Sequence, residues 1–214
     1  AASRQAKGQA LVNVIQISPE EKVTAVITMS EEDAKKAKFF IMATVQGVVK
    51  KTEILAYKNV RKTGIIAIKL NEKDELKWVC TSEGEDNVFQ ITSKGQAIMY
   101  NETDIRPMGR SAAGVRGIKL RTSDIVVSTG IVTKSQIEIV DKKHPAPDIL
   151  VVLENGLGKR TSTEFFRAQQ RGGMGMKAAN VTERTGNVVG AQVTFGDKAD
   201  VIIVSQQGQL IRLS

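Results

Sequence analysis

Histidine and cysteine are almost missing from these 214 residues, with one of each, His144 and Cys80. A single cysteine excludes an intramolecular disulfide and any cysteine-cluster zinc site, and it fits a reducing compartment. With one histidine, on the proline-bearing stretch "KKHPAPD", no Ser-His-Asp or Cys-His set is readable and no ligand cluster has metal spacing. No metal or other cofactor is therefore expected. Nor is there an apolar run of about 18 residues or a charged start leading into an apolar segment, so neither a membrane span nor secretion is indicated. The chain reads as soluble and cytoplasmic.

Aromatics are scarce at 4%, yet hydrophobic residues make up 41%, enough for a real core in one domain spanning 1–214. The two tyrosines, Tyr57 and Tyr100, have no surrounding pattern of cations and metal-binding carboxylates that would make them nucleophiles. Both are expected to pack. Cys80, in the apolar "KWVCT", is expected in the core as well. Carboxylates concentrate in runs such as "EKDE" and "EGED", read as solvated surface.

Acidic charge is also in short supply: 31 Lys+Arg face 23 Asp+Glu, a net charge of +8. Residues 1–107 hold 16 basic against 14 acidic residues, and residues 108–214 hold 15 against 9, so the excess lies in the second half. A polyanionic partner is favoured, because clustered positive charge raises encounter rate and non-specific affinity for nucleic acid.

A repeat organises the rest. Gly47, Gly95, Gly156 and Gly208 each follow an apolar run and a polar pair, at a period of roughly 50 residues. That is the signature of a strand entering a hairpin. Between them lie Arg-x-x-x-Gly elements, Arg4 to Gly8, Arg110 to Gly114 and Arg171 to Gly175, with a version one residue shorter at Arg61 to Gly64. Each precedes a strand-like stretch, "GQALVNV", "GIIAIKL", "GVRGIKL" or "GMKAANV". A turn then leads to "KVTAVITM", "DELKWVCT", "DIVVSTGIV" or "NVVGAQVTF". Four strands per unit imply an all-β, propeller-like fold of about four four-stranded blades. "SEEDAKKAK" (30–38) reads as a solvated charged loop in preference to a helical turn capped by Ser30.

Four residues beyond the hairpin glycines stand Lys51, Met99, Arg160 and Arg212, with Lys50 and Lys159 one position earlier in two units. The Arg-x-x-x-Gly turns add Arg4, Arg110 and Arg171, with Lys7, Arg61 and Lys62 close by. Lys94, Arg116, Lys119 and Lys177 complete the candidate set. Equivalent positions around an axis form a belt, and a belt of cations suits a duplex backbone, whose phosphates take Lys and Arg without sequence information.

The stretches "FIMATVQGVVKKT", "VRKTGIIAIKL", "MGRSAAGVRGIKL", "ENGLGKRT" and "VTERTGNVVGA" resemble the C-terminal domain of the A subunits of DNA gyrase and topoisomerase IV, and they span almost the whole chain. The resemblance implies a β-pinwheel whose blades exchange strands. It implies a DNA-wrapping role, with double-stranded DNA, the gyrase B subunit, and the remainder of the gyrase A subunit as partners. It also implies a nucleoid setting and no catalysis by this piece, which reads as a fragment. One departure concerns the family's Q-R-R-G-G-K-G box. Nothing like it precedes "RQAKGQALVNV", while "QQRGGMG" (169–175) is similar but carries Met174 in place of the lysine. Gyrase is favoured over topoisomerase IV by the match along the blades; the alternative of another class is a propeller serving as a protein-interaction scaffold, with its basic charge incidental.

Overall fold

The computed structural model describes residues 13, 15, 17–18, 20–61, 63–138, 140, 146–195, 200–205 and 207–213. The expectations for Arg4, Lys7, Gly8, Lys62 and His144 lie outside the described residues.

Thirteen strands account for most of the regular structure among the described residues. They are β1 (Phe39–Thr44), β2 (Val48–Glu53), β3 (Leu76–Ser82), β4 (Asn87–Thr92), β5 (Gln96–Asn101), β6 (Val115–Arg116) and β7 (Val126–Val132), followed by β8 (Asp148–Leu153), β9 (Gly158–Ser162), β10 (Met176–Lys177), β11 (Val188–Thr194), β12 (Val201–Val204) and β13 (Leu210–Leu213). Among the described residues two short α-helices accompany them, α1 (Glu31–Lys36) and α2 (Lys134–Glu138), with 3-10 turns at Ile54–Tyr57, Glu102–Asp104 and Thr163–Phe165. The helix α1 corrects the loop expectation for 30–38. Ala34 N–H donates to Ser30 O at 2.9 Å, and Lys36 pairs with Glu32 one turn away at 2.7 Å. A one-turn helix of this kind gains from such i,i+4 charge pairs.

The hairpins fall where the glycines put them. β1–β2, β4–β5, β8–β9 and β12–β13 are antiparallel pairs, and Gly47, Gly95, Gly156 and Gly208 all have φ near +80°. Only glycine reaches that region without steric cost.

Strand order departs from the sequence units. The first sheet runs β3-β1-β2-β6 and the second β10-β5-β4-β7. The third is β11-β8-β9 and the last is β12-β13. Hence β6, which follows the second hairpin in the chain, pairs with β2 of the first: Val48↔Arg116 and Val49↔Val115. Likewise β10, which follows the third hairpin, pairs with β5 of the second. Four consecutive strands such as β6 to β9 are therefore spread over three sheets, and a sequence unit is not a blade. Blades exchange strands.

Two expected strands do not form. Residues 22–29 and 64–70 carry the right sequence but belong to no described sheet. The same rule explains both, since each would flank a hairpin preceding β1, and no such hairpin is among the described residues.

The core lies between sheets. One cluster joins Ile41 and Val49 of the first sheet to Val88, Ile98 and Tyr100 of the second. Another joins Phe89, Ile91 and Met99 of the second to Ile149 and Val151 of the third. Both faces of the second sheet are thus buried, which is why "NVFQIT" and "QAIMYN" bury almost every residue instead of alternating.

The tyrosines pack as expected. Tyr100 is buried with its hydroxyl donating to Gln90 Oε1 at 3.0 Å, and burial drives its pKa far up. Tyr57 donates to Ala67 O at 3.0 Å and meets Phe40 edge-on. Cys80 is half-buried in β3, and burial pushes its thiol up to about 11, which keeps it protonated and unreactive. The solvated reading of "EGED" is corrected at Asp86, which is buried and accepts the backbone N–H of Glu83 and Lys134.

Candidate nucleic-acid interface

The Arg110 to Gly114 and Arg171 to Gly175 elements each lie along the second hairpin strand of the preceding sheet. In one case Met108 N–H donates to Lys51 O, Pro107 bridges Lys51 and β6 pairs with β2. In the other, Gln169 N–H donates to Met99 O, Ala168 bridges Met99 and β10 pairs with β5. The glycine permits the approach. A Cβ on Gly114 would stand 2.7 Å from Val49 O, and one on Gly175 would stand 2.3 Å from Ala97 O. Both φ angles are positive, +95° and +72°. The motif is first of all a seam between blades.

This placement lines up two sets of cations. Eight residues before, four before and two after the seam glycine stand Arg106, Arg110 and Arg116 along the first sheet's edge. The same offsets place Arg167, Arg171 and Lys177 along the second sheet's edge. Five of the six are exposed. The half-buried one is Arg171, whose Nε donates to Asp104 O at 2.9 Å and whose Nη1 donates to Arg116 O at 3.2 Å. Gly172 N–H also donates to Gly117 O, and Lys119 N–H to Gly173 O. "QQRGGMG" is therefore a turn that clamps the neighbouring blade, with Arg171 spending two donors on backbone carbonyls.

Arg106 and Arg167 were not among the sequence candidates. A signal existed: Lys58, Arg106 and Arg167 all stand eleven residues after a hairpin glycine, and all three are exposed. That offset falls outside both motifs used to align the repeat.

Two candidates are corrected. Lys50 and Lys51 are expected on a DNA-facing belt, but they are 0% and 3% exposed. Consecutive strand residues point to opposite faces, and both faces of this strand are covered. Lys50 Nζ donates to Ala67 O and Arg110 O, each at 2.6 Å. Burial, with Arg110 nearby, pulls its pKa down to about 8. Lys51 Nζ meets Glu102 Oε2 at 2.7 Å and sits 4.3 Å from the Phe39 ring centre. Glu102 also accepts Ser82 Oγ, Gly84 N–H and Asp86 N–H. In the first two hairpins the position four residues past the glycine thus faces the next blade, Lys51 against Glu102 and Met99 in the second core cluster. Neither lysine reaches a ligand without unpacking.

The remaining candidates are surface groups. Arg160 is exposed and pairs with Asp148 at 2.7 Å, and Arg212 pairs with Asp200. Lys159 is exposed. Lys94, in the second hairpin turn, donates to Thr122 O at 2.6 Å, and Lys177 donates to Asn180 Oδ1 at 2.6 Å. Lys177 is register partner of Gln96, two residues from Lys94, so these cations share one hairpin tip. Lys119 is exposed beyond β6. Arg61 and Arg110 line one open cleft of about 710 Å³ with Asn59, Thr63 and Ser111. Among the described residues no group of three or more His, Cys, Asp or Glu is arranged to hold a metal ion, and no helix is long and apolar enough to cross a membrane.

The family model described as "DNA gyrase C-terminal domain, beta-propeller" matches residues 38–79, 86–133 and 148–194. The chain is 36% identical over 211 residues to the DNA gyrase A subunit of Staphylococcus epidermidis and, over the same length, to that of Staphylococcus aureus. Each match covers 99% of this chain and 22% of the relative, so the chain spans about a fifth of the length of the curated relatives it matches. Among solved structures, a DNA gyrase A C-terminal domain superposes with a TM-score of 0.79 at 25% identity, covering 97% of this chain and 65% of that one. The C-terminal domain of a DNA topoisomerase IV superposes at 0.81 with 24% identity, covering 96% and 60%, a likeness of fold. The blade-by-blade match of sequence and the exchanged strands agree: the chain belongs to the DNA gyrase C-terminal domain family.

Proposed function

We propose that this chain is a non-catalytic DNA-binding module that bends or wraps duplex DNA along the outer edges of its blades, as part of a gyrase A subunit that works with a gyrase B subunit in the cytoplasm. The observation that carries the reading is the repeated cation set Arg106, Arg110, Arg116 and Arg167, Arg171, Lys177 on equivalent edges of adjacent sheets. Cations at repeated positions suit the repeating phosphates of a duplex and carry no sequence information, so binding is sequence-independent. Gyrase is preferred to topoisomerase IV because the likeness in sequence, at 36%, is to gyrase A subunits.

Bending 20–30 base pairs through 40–90° costs on the order of 1–6 kcal/mol, which several phosphate contacts must offset. Each neutralised phosphate contributes a slope of about −0.9 to log K against log salt. Binding of short and long random duplexes across a salt series tests this directly. Steep salt dependence and preference for the longer duplex are expected. Replacing Arg106, Arg116, Arg167 and Lys177 with alanine is expected to flatten the slope by roughly 3 to 4. Binding that ignores salt, or that survives this change with its slope intact, refutes the proposal.

A further inference from the structure

Beside each of the exposed cations Lys58, Arg106 and Arg167 lies a second exposed position, two residues nearer the hairpin. Ala56, Asp104 and Phe165 occupy it. In the last two cases the residue between is turned inward: Ile105 and Phe166 are buried on extended backbone, at φ −103°, ψ 110° and φ −95°, ψ 94°. Residues flanking an inward one on an extended chain share a face, so Phe165 lies on the face that carries Arg167. Phe165 is 71% exposed. That exposure belongs to the position, because Ala56 and Asp104 are exposed with the following seam in place beside them: β6 lies along β2, and Arg171 Nε donates to Asp104 O at 2.9 Å.

The ring is exposed on an anchored backbone. Thr163 and Phe166 are buried, Phe166 N–H donates to Thr163 O at 2.9 Å, and the Phe166 ring meets Phe89 edge-on at 5.6 Å. With Arg167 at a phosphate of a duplex lying on this edge, the neighbouring ring faces a groove. Groove size decides what it meets. The minor groove is about 6 Å wide, and an apolar side chain wedged into it kinks the duplex toward the major groove, away from the protein, which opposes wrapping. The major groove, about 12 Å wide, admits a ring, and the apolar group on its base edges is the thymine 5-methyl.

We propose that Phe165 enters the major groove and packs on thymine methyl groups, adding to the sequence-independent phosphate contacts a preference for A·T pairs at the edge of the third sheet. The inference rests on the DNA-binding reading and deepens it. At the same position the second sheet carries the anionic Asp104 and the first the single methyl of Ala56, so the third sheet dominates the preference. It thereby sets which stretch of duplex lies at that edge.

Competition between two A·T-rich duplexes of one sequence, the first with thymine and the second with uracil throughout, isolates the 5-methyl group. Burying one methyl is worth up to about fourfold in affinity, so the wild-type chain is expected to favour the thymine duplex roughly two- to fourfold. Phe165→Ser is expected to bind both duplexes equally with its salt slope unchanged, and Phe165→Leu to keep the preference. Arg167→Ala is expected to do the reverse, losing about 0.9 of slope while still favouring thymine. Leu55→Ser, at a 75% exposed apolar residue in the corresponding turn of the first sheet, is expected to match the wild type. Equal wild-type affinity for the two duplexes, with steep salt dependence, overturns this inference and leaves the DNA-binding reading standing; absence of salt-dependent binding overturns both. A thymine preference that survives Phe165→Ser, or that Leu55→Ser removes to the same extent, also overturns it.

Discussion

Replacing Gly175 with alanine isolates the energetics of the blade seam, because a matched control exists in the same molecule. Gly175 and Gly156 both lie at positive φ, +72° and +79°. Forcing a non-glycine residue into that conformation costs roughly 1–2 kcal/mol. Their surroundings differ. A Cβ at Gly156 meets nothing within 4 Å, whereas one at Gly175 stands 2.3 Å from Ala97 O and 2.7 Å from Ala97 C. Backbone cannot rotate away as a side chain does, so the β10–β5 pairing of Met176 with Ala97 must open or shift. Losing two such hydrogen bonds adds about 1–3 kcal/mol. Gly156→Ala is therefore expected to cost about 1–2 kcal/mol and Gly175→Ala roughly 2–5. At roughly 2–4 °C per kcal/mol for a chain of this size, the extra loss places the second variant's melting about 2–12 °C below the first. Urea and thermal unfolding followed by far-UV circular dichroism measure both. Equal losses would refute the view that close backbone approach, rather than turn conformation alone, requires the seam glycine.

Three further outcomes are expected. Lys51→Met leaves the Glu102 carboxylate buried without its cation and should cost about 3–5 kcal/mol in chemical denaturation. The double change Lys51→Met with Glu102→Thr reproduces the pair Met99 and Thr163 of the next seam, and recovery of most of that loss is expected; additive losses would sink the pairing argument. Lys50, held near pKa 8 against an ordinary 10.5, binds fewer protons folded than unfolded between those values. Its contribution to stability therefore rises with pH from about 8 to 10.5, and the penalty is complete below 8. Wild-type stability should gain on that of Lys50→Met across this window; parallel pH profiles would contradict it. Finally, Arg171→Met is expected to weaken DNA binding while changing the salt slope by less than Arg116→Ala does, because Arg171 donates to the carbonyls of Asp104 and Arg116. A slope loss near 0.9 would instead make Arg171 a direct phosphate ligand.

The hairpins and the all-β class were legible in the sequence, because a turn at positive φ between alternating strands is a local matter: Gly47, Gly95, Gly156 and Gly208 are recognisable from their immediate neighbours alone. The long flanks β3, β7 and β11 were legible for the same reason. Blade membership was not. The pairing of β6 with β2 joins residues more than sixty positions apart, and nothing in either short segment names its partner. Hydrogen bonds to a hairpin that the chain has already passed decide it. Charge alone also misplaced Lys50 and Lys51. On an isolated hairpin a lysine is solvated, and only the packing of sheets on both faces turns Lys51 into a buried partner for Glu102 and Lys50 into a donor to Ala67 and Arg110. Repetition in the sequence determined that cations recur. The tertiary packing decided which of them reach solvent, because burial depends on what covers a strand, and that covering comes from elsewhere in the chain.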